Sequence, residues 1–267
     1  MTALRMPEAE VELHLDGQPD PDSSPGPAIV VMPAYNAALT LASTFVDIPT
    51  GVADSVILVD DASRDETVAV ARSLPIVVVE HPHNVGYGGN QKTCYLEALR
   101  QGAGVVVMLH PDGQYDPKIL GQMIDVIRRG EADLVLGSRF ARPGQARLGG
   151  MPWWKRIANR FLTVCENAVL GLRLTEYHSG YRAYSRQFLE TVPFLRNSND
   201  FVFDTQILIQ AAAFGFKAVD VPVDTRYFAE ASSVNFRVSL VYGLKTMASL
   251  VRYVTHRVGW RWRLLVH

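Results

Sequence analysis

Short apolar runs alternate with helical patterns through the first half of the chain. The runs that predict β-strands are Ala28–Met32, Ser55–Asp60, Ile76–Glu80, Val105–Leu109 and Asp133–Leu136. The segments between them that predict helices are Leu39–Asp47, Asp65–Ser73, Gly89–Gln101 and Pro117–Arg129. Alternation of this kind is typical of a parallel sheet with right-handed crossovers. We therefore predict an α/β protein with a largely parallel sheet.

Longer helical patterns dominate the second half. Helices are predicted at Trp153–Leu170, Asp200–Phe214 and Val238–Val258, and a further strand at Lys217–Val223. In the last helix, apolar residues recur every three or four positions, which makes it amphipathic. It is followed by Trp260-Arg261-Trp262-Arg263. Packing on the protein, contact with a membrane surface and contact with a second copy all fit this pattern.

Composition indicates an ordinary globular chain. The 267 residues are 48% hydrophobic and 20% charged, enough for one large α/β domain or two small ones. No apolar run approaches the roughly 18 residues of a transmembrane helix, and no secretory signal pattern begins the chain. Cys94 and Cys165 have no metal-type spacing and suit a reducing compartment. We expect a cytoplasmic protein.

Charge is unevenly distributed along the chain. Residues 226–267 contain seven Lys or Arg and a single acid, Glu230, so this part carries +6 although the whole chain carries −1. A basic end can meet the phosphates of lipid headgroups or nucleic acid, and a solvated helix face gives the same pattern. No nucleic-acid-binding module accompanies it, so we expect no nucleic-acid partner.

Three segments follow from these patterns. Residues 1–26, with their Pro, Asp and Ser, predict a disordered arm. Residues 27–228 predict the α/β domain, and residues 229–267 a basic amphipathic helical segment. Peripheral membrane contact and an oligomer both remain open.

Polar residues follow the first two predicted strands. The first strand leads into Pro33-Ala34-Tyr35-Asn36, and the second into Asp60-Asp61-Ala62-Ser63. Acids at strand ends can accept hydrogen bonds from a ribose hydroxyl or a base N–H. Ser63 or Asp65 could instead cap the following helix. These two strand ends are a candidate nucleotide site.

A glycine-rich bend precedes the third predicted helix, at Asn84-Val85-Gly86-Tyr87-Gly88-Gly89-Asn90-Gln91-Lys92. Glycines permit close approach of a ligand to the backbone, and a helix start favours anions. The bend lacks the Gly-Lys-Ser/Thr ending of a P-loop, and a bare turn is the alternative.

The strand Val105–Leu109 ends in the loop His110-Pro111-Asp112-Gly113-Gln114. Asp112, with help from His110 or Gln114, could hold a divalent cation that neutralises a leaving diphosphate.

Six motifs in this order resemble family 2 glycosyltransferases of the GT-A fold, and in particular the dolichyl- or polyprenyl-phosphate sugar synthase branch. They are the Pro33-Ala34-Tyr35-Asn36 turn, the Asp60-Asp61 strand end, the glycine-rich bend, the Asp112 loop, Gly137-Ser138-Arg139 and Ser179-Gly180-Tyr181-Arg182. The resemblance covers Ala28 to Arg226. It implies a GT-A fold with a Rossmann-like sheet and inverting transfer from a nucleotide-diphosphate sugar with Mg²⁺ or Mn²⁺.

The resemblance also implies roles for individual residues. Those implied for the nucleotide sugar are Pro33, Tyr35, Asn36, Asp60, Asp61, Gly86, Lys92 and Arg226. Those implied for the acceptor phosphate are Arg139, Arg156 and Ser179, with Lys155 as a substitute for Arg156. Those implied for the metal are His110, Asp112 and Gln114. Those implied for catalysis are Asp112, Arg139, Glu176 and Asp204.

Two positions depart from the family pattern. His110 stands where the family's Asp-x-Asp loop has its first acid, which favours Mn²⁺ over Mg²⁺ if the imidazole ligates. Packing of His110 against the sheet edge is the alternative. Glu176-Tyr177-His178 precedes the Ser-Gly pair where the family has Asp, so His178 adds a titratable group.

The acceptor decides the mechanism. A polyprenyl phosphate is already anionic and needs no general base, whereas a hydroxyl acceptor must lose its proton. For a hydroxyl, the candidate bases are Asp204, Glu176 and His178, and Asp204 could also be a helix-start acid. A nucleotide-sugar-binding protein without turnover is a further alternative.

Overall fold

A seven-stranded sheet forms the centre of the computed structural model, which describes residues 26–226 and 236–266. Its strands are β1 (Ala28–Ala34), β2 (Ser55–Asp60), β3 (Val77–Glu80), β4 (Val105–Met108), β5 (Leu134–Ser138), β6 (Arg182–Ser185) and β7 (Ala218–Pro222). The strand order is β3-β2-β1-β4-β6-β5-β7. Every neighbouring pair is parallel except the two that β6 makes, with β4 and β5.

Helices cover both faces of the sheet. They are α1 (Leu41–Val46), α2 (Thr67–Arg72), α3 (Tyr87–Arg100), α4 (Leu120–Arg128), α5 (Gln145–Leu148), α6 (Trp153–Leu170), α7 (Arg186–Thr191), α8 (Phe203–Ala213) and α9 (Phe236–Arg257). Short 3₁₀ turns lie at Pro117–Ile119, Phe194–Arg196 and Arg263–Leu265. Buried residues of α1, α2 and α4 share one apolar cluster, and those of α3, α7, α8 and α9 share the other.

The continuous apolar run of β1 is explained by burial on both sides. Alternate residues such as Val30 and Met32 join the α4 side, while Ile29 and Val31 join the α3 side. Side chains of a strand point alternately to opposite faces, so a strand covered twice has no polar position.

The predicted fold class is confirmed. Each of the predicted strands is present, and the helix Trp153–Leu170 has the predicted bounds. The strand β6 was not predicted, because it is short and begins at a charged residue, Arg182. The predicted arm at residues 1–26 lies outside the described residues apart from Gly26, and so does the start of the predicted C-terminal segment, up to residue 235.

The strand order places two loops side by side. The strand β1 lies between β2 and β4, so the loops that follow β1 and β4 leave the same edge of the sheet. Ligands of open α/β sheets bind where the chain winds away in two directions, and this is such a point. Among the described residues, no helix is both long enough and apolar enough to cross a membrane.

Candidate active site

A cleft of about 650 Å³ lies at the carboxyl ends of β1 and β4. The predicted site residues that line it are Pro33, Tyr35, Asn36, Asp61, Gly86, His110, Asp112, Gln114, Arg139 and Asp204. The predicted site residues that do not line it are Asp60, Lys92, Arg156, Glu176, Ser179 and Arg226. Gly180 of the Ser179-Gly180-Tyr181-Arg182 motif lines it as well, so the structure brings residues of all six motifs to one cavity.

Hydrogen bonds join the loops after β1 and β2. The Asn36 backbone N–H donates to Ser63 Oγ at 2.8 Å, and Asn36 Oδ1 accepts from the Arg64 backbone N–H at 2.8 Å. Asn36 and Ala62 both have left-handed backbone angles, with φ of 51° and 59°. This conformation is uncommon outside glycine and persists where surrounding contacts enforce it, often at ligand sites. The two loops thus form one shaped wall.

The paired carboxylates at the end of β2 hold different loops. Asp61 accepts the backbone N–H groups of Val85 at 2.8 Å and Gly86 at 3.0 Å, which fastens the glycine-rich bend. Asp60 Oδ2 accepts the Ser63 N–H at 2.9 Å. Asp60 Oδ1 is buried and accepts no hydrogen bond from the described residues. Both carboxylate oxygens of Asp61 therefore already accept hydrogen bonds within the protein, whereas Asp60 Oδ1 remains available as an acceptor.

The glycine-rich bend starts α3 against the segment 197–200. Gly86 has φ of 88°, which suits glycine, and a Cβ on Gly88 would overlap the carbonyl oxygen of Ser198. Lys92 donates from Nζ to Asn199 Oδ1 at 2.7 Å. Its ammonium group thus ties α3 to this segment instead of lining the cleft, and partial burial lowers the Lys92 pKa.

Asp112 projects from the loop after β4. Its Oδ1 accepts the Gln114 backbone N–H at 3.0 Å, which fixes the carboxylate at the turn. Burial raises the Asp112 pKa, and nearby His110 opposes this only in part. The Gln114 carbonyl accepts from the Arg226 backbone N–H at 2.9 Å, so Arg226 is anchored beside the loop while its side chain is exposed.

His110 packs on the aromatic ring of Tyr87. The ring centroids are 5.6 Å apart at 12°, and His110 Nε2 lies 3.3 Å from the Tyr87 hydroxyl. A Cβ on Gly180 would come within 2.6 Å of the same Nε2, so the ring fills space that glycine leaves. Burial lowers the His110 pKa and favours neutral imidazole. The Nε2 atom thus faces Tyr87 and Gly180.

A buried arginine lies behind Asp204. Arg182 is fully buried and donates to the backbone carbonyls of Ser179, Asp204 and Tyr177 at 2.7, 2.9 and 3.0 Å. Its Nη1 also lies 3.6 Å from Asp204 Oδ1. The other Asp204 oxygen accepts the Tyr87 hydroxyl at 2.8 Å. Asp204 therefore belongs to a buried network and does more than begin α8.

Arg139 is held by Glu176. The Arg139 backbone N–H donates to Glu176 Oε2 and its Nε to Oε1, both at 2.8 Å, and Asn159 Nδ2 donates to Oε1 at 2.8 Å. Burial alone would raise the Glu176 pKa, but the Arg139 guanidinium and these hydrogen bonds outweigh it and hold the pKa below its usual value. Glu176 lies outside the cleft lining and orients the guanidinium that enters it.

A smaller pocket of about 260 Å³, the arginine pocket, adjoins the cleft through Arg139. Its lining includes Arg139, Arg142, Arg147, Arg156 and Arg160, and contains no acid. Arg156 Nε is buried there and donates to none of the described residues. Lys155, the predicted substitute for Arg156, lines the main cleft. The remaining predicted acceptor residue, Ser179, is buried, with the Tyr181 N–H 3.3 Å from its Oγ.

Sequence reasoning missed several residues of the cleft wall. Tyr87, Asn159 and Tyr242 line it without a predicted role, and they lie there with His178, a predicted candidate base for a hydroxyl acceptor. A large aromatic residue between Gly86 and Gly88 was an available signal for Tyr87. Asn159 and Tyr242 lie on helices far along the chain from the motifs, and nothing local in the sequence points to them.

Comparisons with known proteins identify the family of the chain. The model of the family described as glycosyl transferase family 2 matches residues 29–192. Polyprenol monophosphomannose synthase of Mycolicibacterium smegmatis is 29% identical over 63% of this chain and 65% of that protein. Undecaprenyl-phosphate mannosyltransferase of Micrococcus luteus is 28% identical over 73% of this chain and 82% of that protein.

Solved structures show the same fold. Glucosyl-3-phosphoglycerate synthase from Mycobacterium tuberculosis, in complex with Mn²⁺, UDP and glucosyl-3-phosphoglycerate, superposes with a TM-score of 0.60 at 19% identity. The match covers 85% of this chain and 79% of that one. Because the family model spans more than half of the chain and covers the cleft loops after β1, β2 and β4, the chain belongs to glycosyl transferase family 2.

Proposed function

We propose that this protein transfers a hexose, with inversion, from a nucleotide-diphosphate sugar to a polyprenyl phosphate. The observation that carries the proposal is that Asp112 and the Glu176-backed Arg139 line the same cleft. A carboxylate suits a cation beside a diphosphate, and a guanidinium suits the phosphate of an acceptor. The named relatives that act on polyprenol or undecaprenyl phosphate support the acceptor.

The donor end of the proposed site is the wall after β1 and β2. Tyr35, which is 49% exposed at the cleft, offers a ring on which a base can stack, and Pro33 and Asn36 lie beside it. The spare Asp60 Oδ1 is an acceptor for a base or ribose donor after a local opening. Gly86 and Asp61 shape the wall. Lys92 supports this wall indirectly, because its contact with Asn199 ties α3 to the segment 197–200. Arg226 has an exposed side chain that is available to bind the diphosphate.

Asp112 is the group proposed to hold Mn²⁺ or Mg²⁺. The raised pKa of its half-buried carboxylate fits a position that a cation would stabilise. Within residues 26–226 and 236–266, no three His, Cys, Asp or Glu side chains cluster as a metal site, so oxygens of the donor would have to complete the coordination. When bound, the cation supplies charge neutralisation for the leaving diphosphate. His110 and Gln114 flank Asp112, and the contacts of His110 Nε2 favour a packing role for its ring.

The acceptor end of the proposed site is built around Arg139. Glu176, whose carboxylate also accepts from Asn159, holds the guanidinium in place before any acceptor arrives, so binding requires little further ordering. Lys155 in the cleft and Arg156 in the adjoining pocket add positive charge. Attack by a phosphate oxygen on the anomeric carbon, from the side opposite the diphosphate, needs no base.

A hydroxyl acceptor is the second candidate, and one observation favours it. Asp204 and His178 both line the cleft and can accept a proton, whereas Glu176 is sealed behind Arg139. Asp204 already accepts the Tyr87 hydroxyl with one oxygen, and its other oxygen lies 3.6 Å from the Arg182 guanidinium, so both oxygens already face protein partners. Product analysis with a prenyl phosphate and a hydroxyl acceptor in competition separates the two candidates.

Peripheral contact with a membrane belongs to the same proposal. Four apolar side chains of α6, the α6 apolar row, are each more than 60% exposed: Trp153, Ile157, Phe161 and Val164. They follow a helical spacing, and Arg156 and Arg160 of the arginine pocket lie on the same helix. Apolar side chains beside arginines suit the headgroup region of an anionic bilayer, where a lipid acceptor resides.

Donor binding is tested by thermal unfolding. UDP- and GDP-sugars are each added with Mn²⁺, because a ligand that binds only the folded protein stabilises it by about 2.7 kcal/mol at a hundredfold excess over Kd. One nucleotide should raise Tm and the other should not. Sugar release from that donor then distinguishes an enzyme from a binding protein without turnover.

A further inference from the structure

A polar cluster lies between α6, α8 and α9 at the wall of the cleft. It consists of His178, Glu166, Tyr242, Thr205 and Thr246, and is called the His178 cluster here. The Glu166 side chain is fully buried and that of His178 is 9% exposed. His178 and Tyr242 also line the cleft. None of these side chains has a role in the donor or cation chemistry proposed above.

Glu166 depends on His178. Both Glu166 oxygens are buried, and neither accepts a hydrogen bond from the residues that the structure describes. His178 Nε2 approaches Glu166 Oε2 to 3.1 Å, the distance of an ion pair, although its direction falls short of a hydrogen bond. A buried carboxylate is costly without a partner, so Glu166 restricts where the imidazole ring can lie.

The other side of the His178 ring reaches α9. Nδ1 lies 2.9 Å from the Tyr242 hydroxyl. Thr205 Oγ1 lies 3.2 Å from the same hydroxyl and 3.1 Å from Thr246 Oγ1. Burial, together with the negative charges of Glu166 and Asp204, raises the Tyr242 pKa, so its hydroxyl stays neutral and can donate. The imidazole thus bridges α6 and α9.

The two halves of α9 are held differently. Its second half buries Leu250 and Tyr253, which are 2% and 6% exposed, in the apolar core. Its first half lines the cleft with Ser239 and Tyr242, and its contacts with the protein include the polar ones of the Tyr242 and Thr246 hydroxyls. The ion pair of Lys245 with Asp200 is exposed, and exposed pairs contribute little to stability. The His178 cluster therefore contributes to the placement of the cleft-lining turns.

The same residue also holds Arg139. The His178 carbonyl oxygen accepts from Arg139 Nη2 at 3.0 Å. We propose that His178 is a positioning residue that fixes the first half of α9 and the Arg139 guanidinium relative to each other, and so sets the acceptor end of the cleft. The kinetic consequence rests on the proposed function, because it assumes that the acceptor meets Arg139.

The test uses the full chain with Mn²⁺, the nucleotide sugar that raises Tm, and geranyl phosphate as the acceptor probe. His178→Ala removes both ring contacts, whereas His178→Asn retains a polar atom near the Nδ1 position. Glu166→Gln keeps the shape of the buried side chain and removes its charge. Lys245→Ala is the matched control, since it removes an exposed contact of the same helix turn.

We expect His178→Ala to raise KM for geranyl phosphate about tenfold, the effect of losing roughly one buried hydrogen bond. Donor KM and donor hydrolysis should stay within about twofold of wild type, because the donor wall is untouched. His178→Asn should recover part of the loss, and Lys245→Ala should behave as wild type. Equal loss for donor and acceptor, or no rescue by Asn, would overturn a positioning role.

Hydrogen exchange gives a second readout that needs no acceptor. Amides of residues 239–246 should exchange at least about tenfold faster in His178→Ala and in Glu166→Gln, with residues 250–257 unchanged. If wild type transfers no sugar to geranyl phosphate, the proposed acceptor fails and exchange alone decides the inference. Unchanged exchange in both variants refutes it, whatever the acceptor proves to be.

Discussion

Asp112 and Arg139 both line the cleft, but their charges are balanced differently. Arg139 has a buried carboxylate partner, Glu176, with hydrogen bonds on both the side chain and the backbone N–H. Asp112 accepts the Gln114 backbone N–H, and burial raises its pKa. The Arg139 guanidinium is thus already paired with a carboxylate within the protein, whereas the Asp112 carboxylate is suited to bind a cation.

Asp112→Asn should separate stability from activity. Because the folded-state pKa of Asp112 lies above its unfolded value, the ionised carboxylate opposes folding, and this cost grows as pH rises through the window between the two values. At neutral pH and without metal, Asp112→Asn should therefore raise Tm, while sugar transfer falls by about a hundredfold or more. Calorimetry and a transfer assay check both. A lower Tm with retained transfer would contradict the assignment.

Glu176→Gln should strongly destabilise the protein. It leaves the Arg139 guanidinium buried without its negative partner, at a cost of about 3–5 kcal/mol. Chemical denaturation measures the loss, with Glu131→Gln as control, because Glu131 pairs with Arg129 on the exposed surface. An equal, small effect of both substitutions would argue against a buried Arg139 pair.

Residue types predicted much of the site and concealed some of it. Acids at strand ends predicted a site at the sheet edge where Asp61 and Asp112 lie. The fully buried Arg182 could not be placed, since its partners are backbone carbonyls that only the fold brings together. The packing of His110 on Tyr87 likewise depends on the meeting of two loops and stays invisible in local sequence.

At the scale of elements, hydrophobic periodicity predicted the strands that have apolar cores. The strand β6 was not predicted from periodicity. Its four residues pair on both sides, with β4 and β5, and need no apolar run of their own. The start of α3 was predicted at Gly89 but lies at Tyr87. Glycine at a helix start is unfavourable by propensity, and the close contact with the segment 197–200 overrides it.

Gly88→Ala should disturb the docking of α3. The added Cβ would lie 2.8 Å from Phe203 Cβ and 3.0 Å from the Asp200 carbonyl oxygen. Relieving these contacts would require a shift of the backbone, which is energetically costly. We expect a loss of about 1–3 kcal/mol in the free energy of unfolding, with weaker donor binding. Gly121→Ala in α4 is the matched control, since its Cβ would meet Val52 at an ordinary 3.5 Å. That change should be neutral or stabilising, and destabilisation by both equally would contradict the close-approach argument.

At the scale of the whole molecule, the cleft, the arginine pocket and the α6 apolar row occur together along α6. The sequence pointed to the C-terminal helix as the basic amphipathic surface. It did not single out α6, because the alternating exposure of that helix is decided by what packs against it. Residues 227–235, which connect β7 to α9, lie outside the described residues.

The paired change Ile157→Ser with Phe161→Ser should weaken binding to vesicles that contain phosphatidylglycerol. The two side chains are 62% and 61% exposed, so folding should be unaffected. Burying apolar surface contributes about 25 cal/mol per Å² to membrane binding. Losing two partly inserted apolar side chains should therefore lower the vesicle-bound fraction severalfold. Leu39→Ser with Val46→Ser, on the opposite face of the sheet, is the control. Equal co-sedimentation of both variants would count against α6 as the docking surface.

The most direct test of the proposed chemistry is transfer of labelled sugar from the nucleotide donor identified by Tm to a polyprenyl phosphate in mixed vesicles. With Mn²⁺, wild type should form an organic-extractable sugar lipid of inverted anomeric configuration, and Asp112→Asn should form none above background. Transfer that persists unchanged in Asp112→Asn, or a lipid product of retained configuration, would contradict the account.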